Sequence, residues 1–371
     1  MQSSDSSEED HLESPGGLRD RFPGYFPPDD EEIKHFITQG LVAFDTNALL
    51  DVYRLNNRAR KQYLAALQSL ETRLWIPNRV GQEFLERRLS IIKECSTANE
   101  KLKEELKQRF EDISRNLREF GKRRGFSVNQ MSSLEMMISK ANGDIIGRAC
   151  EYYKFGLSVD SSVKGDAILD SLERVLTDKV GAELDNLKAH RLEGERRIEN
   201  TIPPGYSDRK KEPERAIGDY LIWRQLMNEA ARRRLPVTLV TNDRKPDWVR
   251  EDLGKKVGPR PELVAEMKLE SGMPFFLINV QTFLLYSRRY LGVKVSDSTV
   301  QQARPTPKSP GELRFWELVE QEGPIVHYSR TRDSKTINVE LASGRVFGLD
   351  ATRITQETFQ EIVEAMSDDE P

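Results

Sequence analysis

The sequence predicts an α/β fold: a central parallel sheet covered by helices, a long helical-arm insertion, and a small C-terminal α+β module. Three observations predict it. First, short continuous apolar runs read as strands buried on both faces, with helical patterns between them: Leu41-Val42-Ala43-Phe44, Leu74-Trp75-Ile76-Pro77, Val237-Thr238-Leu239-Val240 and Phe275-Phe276-Leu277-Ile278. Second, apolar residues between the second and third runs recur at spacings of three and four, the pattern of packed helices. Third, the chain beyond a Ser-, Pro- and Gln-rich stretch alternates in short strand-like segments flanked by helical patterns.

Taken in order, residues 1–23 are rich in Ser, Asp, Glu, Gly and Pro and are expected to be disordered. Phe22-Pro23-Gly24-Tyr25-Phe26 is expected to dock, because a row of apolar rings resists solvation. The first strand ends at Asp45-Thr46-Asn47, which reads as a cap for a helix through Leu49, Leu50, Val52 and Tyr53. A second helix covers roughly 57–70. A long helical pattern begins near Val80. From Ile92 it forms a coiled-coil-like seam through Cys95, Leu102, Leu106, Phe110, Ile113, Leu117 and Phe120, which Gly121 and Gly125 end. Looser helices are expected over 126–160, then a second seam from Ile168 through Leu172, Leu176, Val180 and Leu184 to Leu187. Pro203-Pro204-Gly205 breaks the arm, and Gly218-Asp219-Tyr220 opens a new helix. Residues after Trp248 read as turn-rich, and Val280–Tyr290 as a helix.

The expected plan follows. It has an acidic N-terminus (1–32), a discontinuous core (33–88 and 201–295) and a helical arm (89–200). A linker (296–311), an α+β module (312–366) and an acidic tail (367–371) complete it. In the module, 312–322 and 355–366 read as helices and Ile325–Ser329, Thr336–Leu341 and Arg345–Leu349 as strands.

Composition excludes several classes. No stretch approaches the roughly 20 apolar residues of a membrane span. No basic start followed by an apolar run suggests a secretory signal, so a cytoplasmic location is expected. Two cysteines, Cys95 and Cys150, support neither a disulfide framework nor a cysteine-rich zinc site. His11, His35, His190 and His327 offer no helix-spaced metal pair, and no phosphate-cradling Gly-x-x-x-x-Gly-Lys-Ser/Thr loop exists. The net charge of −4 hides an asymmetry. Residues 1–32 carry −8 and the last three acids −3, which leaves +7 for residues 33–366. Such a body can bind a polyanion.

The chemistry centres on acids at strand ends. Asp45 and Asp243 each follow an apolar strand, and ligands of open α/β sheets bind beyond the carboxyl ends of the strands. Glu83 and Asp219 lie near helix starts on that same edge. Carboxylates brought together repel unless a cation lies between them, and hard oxygen ligands suit Mg²⁺ or Mn²⁺. Four carboxylates around one or two such ions form a phosphodiesterase arrangement: one ion activates water, the other stabilises the leaving oxygen. A phosphatase with an aspartyl nucleophile would want a second Asp two residues on, where this chain has Asn47.

These residues resemble a known family. Phe44-Asp45-Thr46-Asn47-Ala48-Leu49-Leu50 looks like the opening motif of PIN-domain nucleases. Val80-Gly81-Gln82-Glu83-Phe84, Arg88, Pro204-Gly205-Tyr206-Ser207-Asp208 and Gly218-Asp219-Tyr220 look like the PIN-like branch with a long helical insertion. So do Thr241-Asn242-Asp243-Arg244-Lys245-Pro246-Asp247-Trp248 and Gly258-Pro259-Arg260-Pro261. The resemblance covers roughly 24–290. It implies a three-layer α/β/α core and metal-dependent hydrolysis of nucleic acid, usually RNA. It assigns Asp45, Glu83, Asp219 and Asp243 as catalytic metal ligands, with Asn47 and Thr241 supporting the site. The expected activity is that of an endoribonuclease leaving 5′-phosphate and 3′-hydroxyl ends, with single-stranded RNA favoured and DNA the alternative. A role in bacterial toxin or antiphage defence is an analogy with this branch.

Simpler roles stand beside these. Asp45 or Asp219 could only cap a helix, Glu83 could be a first-turn acid, and Asp243 could only shape a turn. Asp208 and Asp247 read as solvated loop acids or as holders of metal-bound water. Arg88, Lys210, Lys211, Arg244, Lys245 and Arg260 are candidate phosphate contacts, and Tyr206 and Trp248 candidate stacking platforms. The arm is expected to gate the site, bind a protein partner or self-associate. The alternative reading is a regulatory or scaffold protein built on a silenced or partner-controlled PIN-like core.

Overall fold

The computed structural model describes residues 17–243, 245–252, 255–304, 325–330, 336–341 and 343–350. Helices α1 (Leu18–Arg21) and α2 (Asp30–Thr38) precede β1 (Leu41–Phe44), α3 (Thr46–Arg54), α4 (Asn57–Gln68) and β2 (Leu74–Trp75). The insertion follows: α5 (Asn78–Ser96), α6 (Ala98–Arg124), α7 (Val128–Tyr152), α8 (Val159–Lys164), α9 (Ala167–Leu176) and α10 (Leu187–Glu199). The chain returns through α11 (Pro213–Ala216), α12 (Gly218–Arg233), β3 (Val237–Val240), β4 (Val249–Asp252), β5 (Lys255–Pro259), α13 (Pro261–Ser271), β6 (Phe275–Ile278), α14 (Val280–Tyr290) and α15 (Asp297–Gln302). Last come β7 (Ile325–Arg330), β8 (Thr336–Leu341) and β9 (Val346–Asp350).

The core sheet is parallel throughout, in the order β2-β1-β3-β6. Every residue of β1 and of β3 is buried, which is why both read as continuous apolar runs. The register pairs Phe44 with Val240, so the residues that follow, Asp45 and Thr241, leave the sheet at one level. Chain order reverses between β1 and β3, which makes their shared carboxyl edge the topological switch point. Phe44 and Phe283 pack edge to face at 4.9 Å below this edge, and Tyr63 donates its hydroxyl to the Ala48 carbonyl at 2.8 Å. Burying each such large side chain contributes about 1.5–3 kcal/mol.

The insertion differs from the expected arm. α5 continues the core: Ile91, Ile92 and Cys95 are buried with the sheet residues, as are Ile168, Leu172 and Val175 farther along. Only α6 and α7 stand away as an antiparallel pair, and α7 buries no residue of its own. The seam is broken at Thr97, between α5 and α6. Gly121 lies inside α6, where a Cβ would stand 2.5 Å from Met131 Sδ, so it admits the neighbouring helix. Gly125, at φ 75°, ends α6. The looser helices expected over 126–160 are one long helix, started by a Ser127–Gln130 capping box, followed by the short α8. The second seam also divides. α9 ends at Leu176, and Val180 runs alongside Ile76 in a parallel bridge with Ile76 N–H to the Lys179 carbonyl at 2.9 Å. Backbone pairing at the sheet edge outcompetes helical continuation there.

Smaller differences have equally local causes. Leu18–Arg21, within the stretch expected to be disordered, forms a helical turn; residues 1–16 lie outside the described residues. The aromatic segment is docked on α13: a Cβ at Gly24 would stand 2.7 Å from Pro261 Cα, and the Arg250 guanidinium lies over the Tyr25 ring. The turn-rich stretch contains the antiparallel pair β4–β5. The expected linker begins with α15, whose Val300 and the following Ala303 are buried in the core; residues 305–311 lie outside the described residues. β7, β8 and β9 form an antiparallel meander at the expected positions, while the helices expected over 312–322 and 355–366 and the acidic tail lie outside the described residues. No helix among the described residues is long and apolar enough to cross a membrane.

Candidate functional site

Asp45 is both the end of β1 and the N-cap of α3. Its Oδ1 accepts the Thr46 N–H at 2.6 Å, and its Oδ2 accepts the Thr241 hydroxyl at 2.8 Å. Thr241 Oγ1 in turn accepts the Asp243 N–H at 2.9 Å, so one hydroxyl joins the ends of β1 and β3. Thr46 donates its hydroxyl to Glu83 Oε2 at 3.0 Å, and Arg79, one turn earlier on α5, holds Glu83 Oε1 at 3.0 Å. Gly218 opens α12 against this carboxylate: a Cβ there would stand 2.7 Å from Glu83 Oε1. Asp219, the next residue, accepts from Trp248 Nε1 at 3.2 Å and from Lys245 Nζ at 3.1 Å.

These side chains line one cavity of about 520 Å³, together with Asn47, Glu86, Arg87, Asp208, Lys211, Glu212, Arg215, Asp243 and Lys245. The structure therefore brings together Asp45, Glu83, Asp219 and Asp243, along with Asn47, Asp208, Lys211 and Lys245 of the sequence candidates. Burial and the charge of Asp243 push Asp45 up to about 6. Burial pushes Asp219 up to about 7, against the pull of Lys245 and with the push of Asp243 and Asp45. For Lys245, burial works against the ammonium, but the charges of Asp219 and Asp243 outweigh it and hold the group above the usual lysine value. Such raised acids mark a place that carries more negative charge than its surroundings solvate.

The donor set is carboxylate, amide and hydroxyl oxygen, which fits a hard divalent ion such as Mg²⁺ or Mn²⁺. Asp45, Glu83, Asp243, Asp219 and Asp208 are the residues that could hold it. Their present arrangement is not a closed cage: among the described residues no three acidic, histidine or cysteine side chains converge as a ready metal site. The reason is visible, since the Lys245 ammonium occupies the space between Asp208, Asp219 and Asp243.

Several expected contacts lie elsewhere. Asp247 is fully buried, and its Oδ2 accepts the Gly205 and Ser207 N–H groups at 2.9 and 3.1 Å, so it pins a loop and does not face the cavity. Arg88 binds Asp166 at 2.6 Å, joining the insertion to the core, and is not a phosphate contact in this arrangement. Arg260 binds Glu262, the Pro246 carbonyl and the Tyr206 hydroxyl. Trp248 is buried edge to face on Trp223, leaving no face for a base. Asp208 is buried instead of solvated, held by Lys211 at 2.6 Å and Lys245 at 3.0 Å. Lys210 is exposed and outside the cavity lining, and Arg244 lies outside the described residues. Sequence reasoning missed Arg79, Glu86, Arg87 and Arg215. The first three share a face of α5 with Glu83 at helical spacing, a signal that extending the face from Glu83 would have found.

A parallel α/β sheet with an acid-lined cavity at its switch point defines an α/β protein of nuclease-type fold. The chain belongs to the PIN-like domain family: the family's model, described as a PIN like domain, matches residues 41–263. PIN-like domains are generally nucleases. No curated protein and no solved structure matches the chain.

Proposed function

We propose that the protein is a divalent-metal-dependent nuclease, and most directly an endoribonuclease acting on single-stranded RNA. The observation that carries this reading is the meeting of Asp45, Glu83, Asp219 and Asp243 in one cavity at the carboxyl ends of β1 and β3. Mg²⁺ or Mn²⁺ held there supplies water activation and charge stabilisation for hydrolysis of a phosphodiester. The chain's own residues orient the site. Thr46 and Thr241 fix both oxygens of Asp45, and Arg79 and Thr46 fix both oxygens of Glu83. Arg87 and Arg215 are exposed on the cavity lining, where a guanidinium can take a backbone phosphate on either side of the scissile bond. The preference for RNA over DNA, and products with 5′-phosphate ends, follow from the family and form part of the proposal.

The test offers fluorescent single-stranded RNA and single-stranded DNA of one sequence, with Mn²⁺ or with EDTA. Internal cleavage of RNA in Mn²⁺, none in EDTA and slower cleavage of DNA are expected. Cleavage that survives EDTA contradicts the metal dependence. A second reading, a core controlled by a protein partner, is favoured by α7, which buries no residue and exposes Met136, Met137 and Tyr152. Cleavage that begins only when another protein is added supports it.

A further inference from the structure

Lys245 is the one side chain on the cavity lining whose donors all go to acids of the site. A lysine ammonium has three N–H donors. Here Nζ reaches Asp243 Oδ2 at 2.7 Å, Asp208 Oδ2 at 3.0 Å and Asp219 Oδ2 at 3.1 Å. Its backbone N–H also donates to Asp243 Oδ1 at 3.2 Å, so the residue is anchored at two points. Every donor is used, and none is left for a substrate phosphate unless a carboxylate is released. Asp45 and Glu83, in contrast, receive only hydroxyls, a backbone N–H and the Arg79 guanidinium.

Charge balance points the same way. The acids of the lining are Asp45, Glu83, Glu86, Asp208, Glu212, Asp219 and Asp243, and its cations are Arg79, Arg87, Lys211, Arg215 and Lys245, which leaves −2. One divalent ion neutralises that, whereas two would leave the cavity positive by as much.

We propose that the Lys245 ammonium takes the place of a second divalent ion, so that the cavity binds a single Mg²⁺ or Mn²⁺ on its Asp45–Glu83–Asp243 side. Asp208 and Asp219 are then partners of the ammonium before they are metal ligands, and Asp243 is shared between the two cations. This inference rests on the proposed metal-dependent reading of the site. It narrows that reading from one or two ions to one, and it makes Lys245 a positioning residue that holds three acids in place.

Binding stoichiometry tests it without any substrate. Mn²⁺ is titrated into the full chain by calorimetry, with the bound ion counted independently by paramagnetic resonance, for the wild type, Lys245→Met and Lys245→Arg. One tight ion in the wild type and in Lys245→Arg, and two in Lys245→Met, are expected. In EDTA, Lys245→Met should melt below the wild type, and saturating Mn²⁺ should raise its melting temperature more than that of the wild type. Two tight ions in the wild type overturn this proposal and leave the nuclease reading standing. One ion in both wild type and Lys245→Met also overturns it. No ion in either removes the metal-dependent reading along with it. Should Lys245→Met fail to fold, Lys245→Gln replaces it, and the wild-type count alone still decides between one ion and two.

Discussion

Asp45 caps a helix, ends a strand and lines the cavity, so the simpler reading of it and the functional one are both realised in a single side chain. The acids at strand ends were legible because an apolar run ending in Asp is a local pattern. Asp247 and Lys245 were not, because their roles depend on a loop fold that no spacing encodes: one is buried under Gly205 and Ser207, the other inserted among three acids. The raised acids carry a consequence for stability. A carboxyl that folding shifts upward keeps its proton longer in the folded state than in the unfolded chain. Its contribution is therefore intact below about pH 4 and is lost as pH rises through the folded value. For Asp219 that loss extends to about pH 7. In EDTA, Asp219→Asn should gain stability relative to the wild type as pH rises from 5 to 8, read from urea midpoints. A difference that stays flat or shrinks over that range contradicts the burial assigned to this acid.

At the scale of elements, the strands and their order were readable, since strands buried on both faces need apolar side chains at every position. Helix ends were less so. The periodic stripe from Ile92 to Leu187 carries no mark separating a helix that packs on the sheet from one that stands away. The bend at Thr97 and the extended run at Val180 arise from tertiary contacts. The pair β4–β5 was hidden in Val249–Pro259, a stretch of charged residues and glycine with little strand propensity. What ties the insertion back to the core is one buried carboxylate. Asp166 Oδ2 accepts the Tyr53 hydroxyl at 2.7 Å and Arg88 Nη1 at 2.6 Å, and its Oδ1 caps α9 through the Ile168 and Leu169 N–H groups at 3.0 Å. Removing one partner of a buried pair costs about 3–5 kcal/mol because the other charge is left uncompensated. Asp166→Ala should lower stability by about that amount in equilibrium denaturation. A loss under about 1 kcal/mol would mean that α8 and α9 are held chiefly by apolar packing.

At the scale of the whole molecule, a net charge of −4 suggested a chain indifferent to nucleic acid. The structure sorts that average into parts. Acids are gathered at the switch point of the sheet, cations interleave with them, and the segment outside the termini is net positive. The nuclease-type core is assembled from pieces on both sides of the insertion: β1, β2 and Glu83 precede α6–α7, and Asp219, β3 and Asp243 follow it. The sheet thus closes the cavity with residues nearly two hundred positions apart, as Asp45 and Thr241 are. The central claim is that this closure creates a hydrolytic site. The measurement that tests it most directly is the Mn²⁺-dependent rate of single-stranded RNA cleavage by the double variant Asp45→Asn/Asp243→Asn, with circular dichroism confirming that the fold is kept. The rate should fall by at least about 10³-fold, the loss expected when charge stabilisation at the reacting phosphate is removed. A folded double variant that cleaves RNA at the wild-type rate would contradict the account.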